Sequence, residues 1–433
     1  MLRKSATDPI RILFALLVWM MFIIPDDAAS AQVLPESTQS QQPPPPQARR
    51  GTSPGLPGAR LDYKQGTSPR FWSIATAETI MERYPDYREA YWKDWTYMQG
   101  YVFHGFEMLY RSTGDPRYLG YMKRYVDQFV NEHGQFLGDK LTNLDNFMTG
   151  SSVAAMYEYT GDERYKTAAS HFRRALDDYP RSDGQFWHGN RSANMWIDGV
   201  FMGQMFVIRY AKSIGDAEYC FDEATKQITV FAKHCLKENS GLYYHAWSAQ
   251  PEKTAWADPA TGVSPEVWSE GLGWYALILV EALEVLPADH PKREEVNDIY
   301  RRLAAGLIRT QDASTGGWFM IMDKGTEPEN WIDPSGTAMF VYSLKRGIDL
   351  GLIKGEEYAT AVTKGYKSVL SFVEVNDHGL VDVRGGGDGI TVKKDYQTYV
   401  SVTRVLNAKE AVGGFLWVSA LMERELLEKV NVQ

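Results

Sequence analysis

The sequence predicts an all-α fold, an (α/α)6 barrel of six helical hairpins with short β segments in its long loops. Apolar residues recur at spacings of three and four through twelve segments, the mark of helices with one buried face. The connections alternate between short glycine–acid turns and long loops rich in glycine and aromatics. The long loops start 50, 57, 76 and 62 residues apart, too irregular for a solenoid but suited to a repeated hairpin with variable loops.

The elements follow in chain order. Arg3, Lys4 and Arg11 accompany an apolar run of thirteen residues, Ile12 to Ile24, and Ala29-Ser30-Ala31 adds a small-residue cleavage pattern. This reads as an export signal over 1–31, shorter than the ~20 residues that span a bilayer. It predicts an exported protein, periplasmic or extracellular, with no membrane span once the signal is removed. Residues 32–68 hold seven Pro and one aromatic, Tyr63, so they read as a Pro-rich linker with too little apolar surface to offset ordering entropy. One barrel domain is expected over 69–433. Its helices are expected at Trp72–Tyr84, Trp95–Tyr110, Tyr118–Val130, Phe147–Tyr159, Tyr165–Leu176 and Ile197–Tyr210. Six more fall at Phe221–Leu236, Val267–Val285, Val296–Ile308, Ala338–Ile348, Tyr358–Phe372 and Ala411–Leu427. An open helical array is the other arrangement this pattern allows.

Four short connections contain Gly114-Asp115, Gly161-Asp162, Gly215-Asp216 and Gly355-Glu356, each offering a glycine C-cap and an acidic start to the next helix. Five long connections begin at Gly134-Gln135-Phe136, Gly184-Gln185-Phe186, Gly241-Leu242-Tyr243, Gly317-Trp318-Phe319 and Gly379-Leu380-Val381, each read as a short strand. Cys220 and Cys235 share one expected helix, fifteen residues and ~22 Å apart. A disulfide needs Cα atoms within ~7 Å, so both are expected as buried thiols.

Charge and composition narrow the function. A net charge of −9 argues against nucleic acid, which demands a basic surface. The 13 Trp, 25 Tyr and 18 Phe exceed what one core requires, so some are expected to line a site. In a ring of hairpins the inner helices run parallel, and their N-termini share a mouth crowded by the long loops. Eight of the thirteen Trp fall between Trp187 and Trp331, most in or beside those loops, which favours flat faces for sugar rings over structural filler.

Two carboxylates stand where long loops enter inner helices: Asp145 in Asn143-Leu144-Asp145-Asn146, and Asp198 in Trp196-Ile197-Asp198-Gly199. Asp is a favoured N-cap, so either could be purely structural. Met195, Trp196 and Phe201 around Asp198 form an apolar cage, which disfavours an anion. The expectation is a protonated Asp198 beside an ionised Asp145, two environments giving two roles. Metal and nucleophile readings are weaker: the eight His show no HxxxH or HExxH spacing, the two Cys lack a paired-ligand spacing, and no phosphate loop or nucleophile elbow occurs. His188 and His245, each after a glycine–aromatic strand, suit substrate hydrogen bonds better than metal ligation. Gly385-Gly386-Gly387-Asp388-Gly389 reads as a flexible loop.

The ordered set Trp95–Gly100, Asn143–Asn146, Phe186-Trp187-His188, Trp196–Gly199 and Ser335–Met339 resembles glycoside hydrolase family 105, the unsaturated rhamnogalacturonyl hydrolases. More distantly it is similar to the unsaturated glucuronyl hydrolases of family 88. The resemblance runs from about Phe71 to Glu425. It implies an (α/α)6 barrel with no cofactor, acting in polysaccharide degradation. The reaction implied removes a 4,5-unsaturated uronic acid from the non-reducing end of lyase-derived oligosaccharides by hydrating the enol ether. Carried over, Asp198 is the general acid/base and Asp145 the second carboxylate, while Tyr97, His188, Trp196, His245 and Trp268 surround the substrate. The chain departs from the family pattern at Ser269-Glu270-Gly271, where many members carry Arg two residues past the Trp, and at Leu406–Glu410. Lys409, Arg404 or Arg384 is expected to supply the missing cation. Two other readings stay open: a polysaccharide lyase or sugar epimerase on the same barrel, and a non-catalytic sugar-binding protein.

Overall fold

A computed structural model describes residues 64–431 except 91, 92 and 139. The expected export signal lies outside the described residues, as does the linker up to residue 63. The last linker residues follow the barrel, with the Gly66 amide donating to the Val375 carbonyl at 3.1 Å.

Fourteen helices are found among the described residues. They are α1 (Trp72–Arg83), α2 (Tyr97–Thr113), α3 (Pro116–Val126), α4 (Asp145–Met148), α5 (Gly150–Thr160), α6 (Glu163–Ala175) and α7 (Ile197–Ser213). They continue as α8 (Ala217–Cys235), α9 (Ser269–Val285), α10 (Arg293–Thr310), α11 (Pro334–Asp349), α12 (Glu356–Leu370), α13 (Tyr396–Val400) and α14 (Lys409–Asn431). Packing runs from α2 to α5, α7, α9, α11 and α14, and α14 returns to α2. That closes an inner ring and excludes the open array. The remaining long helices, α1, α3, α6, α8, α10 and α12, alternate with these along the chain and pack outside them.

The sequence separates the two rings. In α6 the buried residues Tyr165, Ala168, Ala169 and Phe172 recur at spacings of three and four, one stripe facing inward. Helix α9 is buried on every side from Ser269 to Leu283, as a helix enclosed by neighbours must be. Tyr101, Phe201, Trp274 and Trp417, one from each of four inner helices, meet at ring-centroid distances of 4.6 Å (Tyr101–Trp274), 4.8 Å (Phe201–Trp274) and 4.9 Å (Tyr101–Trp417). Such tilted and edge-on contacts each add ~0.5–1.5 kcal/mol beyond area burial. Both thiols, Cys220 and Cys235, are buried on α8 and unbridged.

The turns divide. Gly114 and Gly161 take left-handed C-cap positions at φ 67°, and Asp115 and Asp162 accept the backbone amides of Arg117 and Arg164. The other two do not follow that pattern. At Ile214-Gly215-Asp216 it is Asp216 that takes φ 53°, without a side-chain cap, and α11 gives way to a turn at Gly351 while Gly355 precedes α12. Of the expected loop strands, those at Gln185–Phe186, Leu242–Tyr243 and Val381–Val383 form antiparallel pairs with the chain leaving α6, α8 and α12. Phe136 and Phe319 make only isolated bridges.

Candidate active site

Two long-range pairings assemble the mouth. The strand Asn194–Trp196 pairs antiparallel with Ala246–Ser248, setting Trp196 opposite Ala246, and the Ile197 amide donates to the His245 carbonyl at 2.9 Å. This brings His245 against the first turn of α7, where Asp198 sits. Asn143 bridges Gly189, and the Leu144 amide donates to the His188 carbonyl at 2.9 Å, which brings His188 beside Asp145. Gly199 permits the closest approach: a Cβ there would lie 2.9 Å from the Leu144 side chain and 3.0 Å from His188 Nδ1.

Each carboxylate therefore has its own imidazole. His245 Nε2 lies 3.1 Å from Asp198 Oδ2, and its Nδ1 lies 2.7 Å from the Tyr399 hydroxyl. His188 Nε2 is 3.8 Å from Asp145 Oδ1. The His188 ring stacks on Trp196 at 4.3 Å and 12°, and His245 packs against Trp268 at 4.4 Å. Burial lowers the His245 pKa against the pull of Asp198, so its ring is neutral near pH 7. Asp198 is 8% exposed and Asp145 keeps 25% of its side-chain surface, so the pair lines an enclosed mouth that solvent still reaches.

Burial raises the Asp145 pKa from the ordinary carboxylate value and the neighbouring Asp198 carboxyl adds to the rise, while His188 and Lys409 pull it back. The cause is position: Asp145 opens α4 deep among the loops, where a helix of four residues contributes little compensating dipole.

Tyr97, His188, Trp196, His245 and Trp268, expected to surround a substrate, cluster around these carboxylates. Tyr97 donates to Glu410 Oε1 and senses the charges of Asp145 and Glu270. The indole nitrogens of Trp196 and Trp268 and His188 Nδ1 are buried with no protein partner among the described residues. Buried donors are normally satisfied, so unspent hydrogen-bonding capacity collects here. The expectation for the loop tryptophans holds only in part. Trp247, Trp268, Trp274, Trp318 and Trp331 are buried, and only Trp187, Trp196 and Trp256 remain half-exposed. Tucking indole against the barrel wall removes more apolar area than leaving it at the rim.

Four participants were not among the expected site residues. Tyr399 stands on the short α13 capped by Asp395, and nothing in its spacing signals contact with His245. Glu270, Asp333 and Glu410 form a buried acidic floor. Burial and its acidic neighbours push Glu270 well above the usual range, and burial raises Asp333 to about 6 despite bonds from Ser269 and the Ser335 amide. The available signal for Glu270 and Glu410 was the departure from the family pattern at Ser269-Glu270-Gly271 and Leu406–Glu410. Away from this mouth, a cavity of about 370 Å³ is lined by His104, Glu107, Arg209 and Glu281 toward the other ends of the inner helices.

A closed double ring of helices with two carboxylates at the shared mouth defines an (α/α)6 barrel with a candidate acid/base site. The particular family follows from the sequence: residues 72–426 match Glycosyl Hydrolase Family 88, and the chain belongs to it. It is similar to a solved glycoside hydrolase of family 105 from C. acetobutylicum ATCC 824, with 29% identity, a TM-score of 0.76, and 82% of this chain and 99% of that one covered. The unsaturated rhamnogalacturonyl hydrolase YesR of Bacillus subtilis is 24% identical over 288 residues, covering 65% of this chain and 76% of that protein. Protein Atu3128 of Agrobacterium fabrum is 35% identical over 188 residues, covering 42% of this chain and 78% of that protein.

Proposed function

We propose that this glycoside hydrolase removes a 4,5-unsaturated uronic acid from the non-reducing end of lyase-derived oligosaccharides, with Asp198 as acid/base. The observation that carries the reading is the buried chain Tyr399–His245–Asp198, which fixes one carboxyl at the mouth through an imidazole that burial keeps neutral. Asp198 gives its proton to C4 of the enol ether, leaving an oxocarbenium-like cation shared by C5 and the ring oxygen. Water adds at C5 and its proton returns to Asp198. The hemiketal opens to a C5 ketone, and the C1 hemiacetal then releases the remaining sugar. Asp145, paired with His188, holds the water or a ring hydroxyl. Trp196 and Trp268 wall the site against bulk water, which strengthens each electrostatic contact. Because the chemistry is hydration, carboxylate separation does not set the stereochemical outcome as it does for displacement.

The export signal read at residues 1–31 supports action outside the cytoplasm, on fragments that extracellular or periplasmic lyases release. The test offers unsaturated disaccharides from pectin, ulvan and glycosaminoglycans to the enzyme in D2O. Hydration predicts loss of the enol ether's ultraviolet band and one deuterium at C4. Appearance of that band from intact polyuronide would mean a lyase, and binding without spectral change would mean a sugar-binding protein.

A further inference from the structure

The mouth is crowded with carboxyl groups, and burial raises the pKa of Asp145, Glu270, Asp333 and Glu410 against adding further negative charge. Asp145, Asp198, Glu270, Asp333 and Glu410 converge there, and His245 is neutral. A uronate places its carboxylate on C5, directly beside the reacting C4–C5 bond, so this sugar must meet a cation within the same pocket.

Three basic side chains were candidates, and geometry separates them. Arg384 bonds the Ser371 carbonyl at 3.3 Å, lies 3.9 Å from Glu374, and is 53% exposed at the end of an outer helix. Arg404 rides 5.4 Å over the Trp331 ring and is exposed. Lys409 is the enclosed one, with 16% of its side chain exposed, and its charge reaches Asp145. It opens α14, where the helix dipole disfavours a cation, so acidic partners must hold it. One partner is Glu410, buried, 3.2 Å away and also held by Tyr97. The other is Asp388, which keeps 38% of its side-chain surface exposed. The segment expected as a flexible loop instead holds a short buried strand at Gly386–Gly387 paired with Arg404–Val405, and Asp388 follows it at the exposed end before Gly389 at φ 61°.

We propose that Lys409 is the residue that receives the substrate's carboxylate, and that Asp388 occupies this cation until the substrate displaces it. The proposal rests on the hydrolase reading above. Glu410 is the permanent partner and Asp388 the exchangeable one. An entering carboxylate replaces a like charge, so the ion pair is conserved while the Asp388 side chain turns aside. Specificity for a free uronic acid over its methyl ester then comes from Lys409.

The experiment compares an unsaturated uronyl disaccharide with its methyl ester, by steady-state kinetics on wild type, Lys409→Met, Lys409→Arg and Asp388→Asn. A charge-assisted hydrogen bond predicts a roughly 10- to 100-fold rise in KM for the acid in Lys409→Met. The ester should change little, and Lys409→Arg should restore much of the discrimination. Asp388→Asn should lower KM for the acid several-fold by freeing the cation. An acid-to-ester ratio in Lys409→Met equal to wild type overturns the proposal while leaving the hydrolase reading intact. Failure of wild type to consume any unsaturated disaccharide overturns the hydrolase reading, and the proposal with it. Should Lys409→Met not fold, Asp388→Asn decides alone, because unchanged or raised KM for the acid contradicts displacement.

Discussion

Replacing Tyr399 by Phe deletes one hydroxyl from a buried chain of three groups. A neutral imidazole carries one donor and one acceptor, so a partner at Nδ1 fixes what Nε2 presents to Asp198. The distances, 2.7 Å from Tyr399 to Nδ1 and 3.1 Å from Nε2 to Asp198, make both links direct. His245 has no exposed side-chain surface, so water cannot replace the lost hydroxyl without reorganising the site. An unsatisfied buried polar atom costs ~1–3 kcal/mol, and the same amount taken from transition-state stabilisation is a roughly 5- to 150-fold fall in kcat. The assay follows the ultraviolet band of an unsaturated disaccharide across pH, with thermal unfolding measured in parallel. Lower kcat with an altered pH profile and a small change in melting temperature is expected. A lower melting temperature with kcat and pH profile unchanged would refute the relay, because Tyr399 would then only fill space.

The cavity lined by Glu107 and Glu281 makes two opposite predictions about stability. Burial opposes Glu107, but Arg209 and Arg111 outweigh it and hold the carboxyl at about 2. Its contribution is present above the unfolded value of 4.5 and lost as pH falls through 2, so Glu107→Gln should cost ~3 kcal/mol at pH 7 by urea unfolding, with the difference shrinking toward pH 3. Burial raises Glu281 to about 7, so its penalty grows between pH 4.5 and 7, and Glu281→Gln should raise the melting temperature at pH 8 and leave it unchanged near pH 4.5. Gly199→Ala should lose ~1–3 kcal/mol to overpacking against Leu144 and His188, and activity should fall more than stability alone explains because the turn carrying Asp198 must shift. A variant with full activity would show that turn to be slack.

The helical framework was legible because its signal is local. Every expected helix has a counterpart, and the ring order follows from alternating hairpins whose inner members are enclosed by neighbours, as α9 is. The turns at Asp216 and Gly355 were not legible, since a Gly-acid pair suits a C-cap and an N-cap equally, and tertiary packing decides which. Asp145, Asp198, His188 and His245 were found because each follows a recognisable loop signature. Their pairing was not, because the register of Asn194–Trp196 on Ala246–Ser248 joins segments about fifty residues apart with no turn to set it. Tyr399 carries no periodic or motif signal, and Glu270 and Glu410 showed only as departures from the family pattern. They reach the mouth only because the ring closes, with α14 returning to α2.

The central claim is that the Asp198 carboxyl is the proton source for C4. The most direct measurement is the rate at which Asp198→Asn bleaches the enol-ether band, with its folding and ligand binding checked by thermal unfolding and calorimetry. The account predicts a folded, ligand-binding protein slowed by 100- to 10,000-fold or more, the range of a lost general acid. Bleaching within about threefold of wild type, in a variant that binds the same disaccharide, would contradict it.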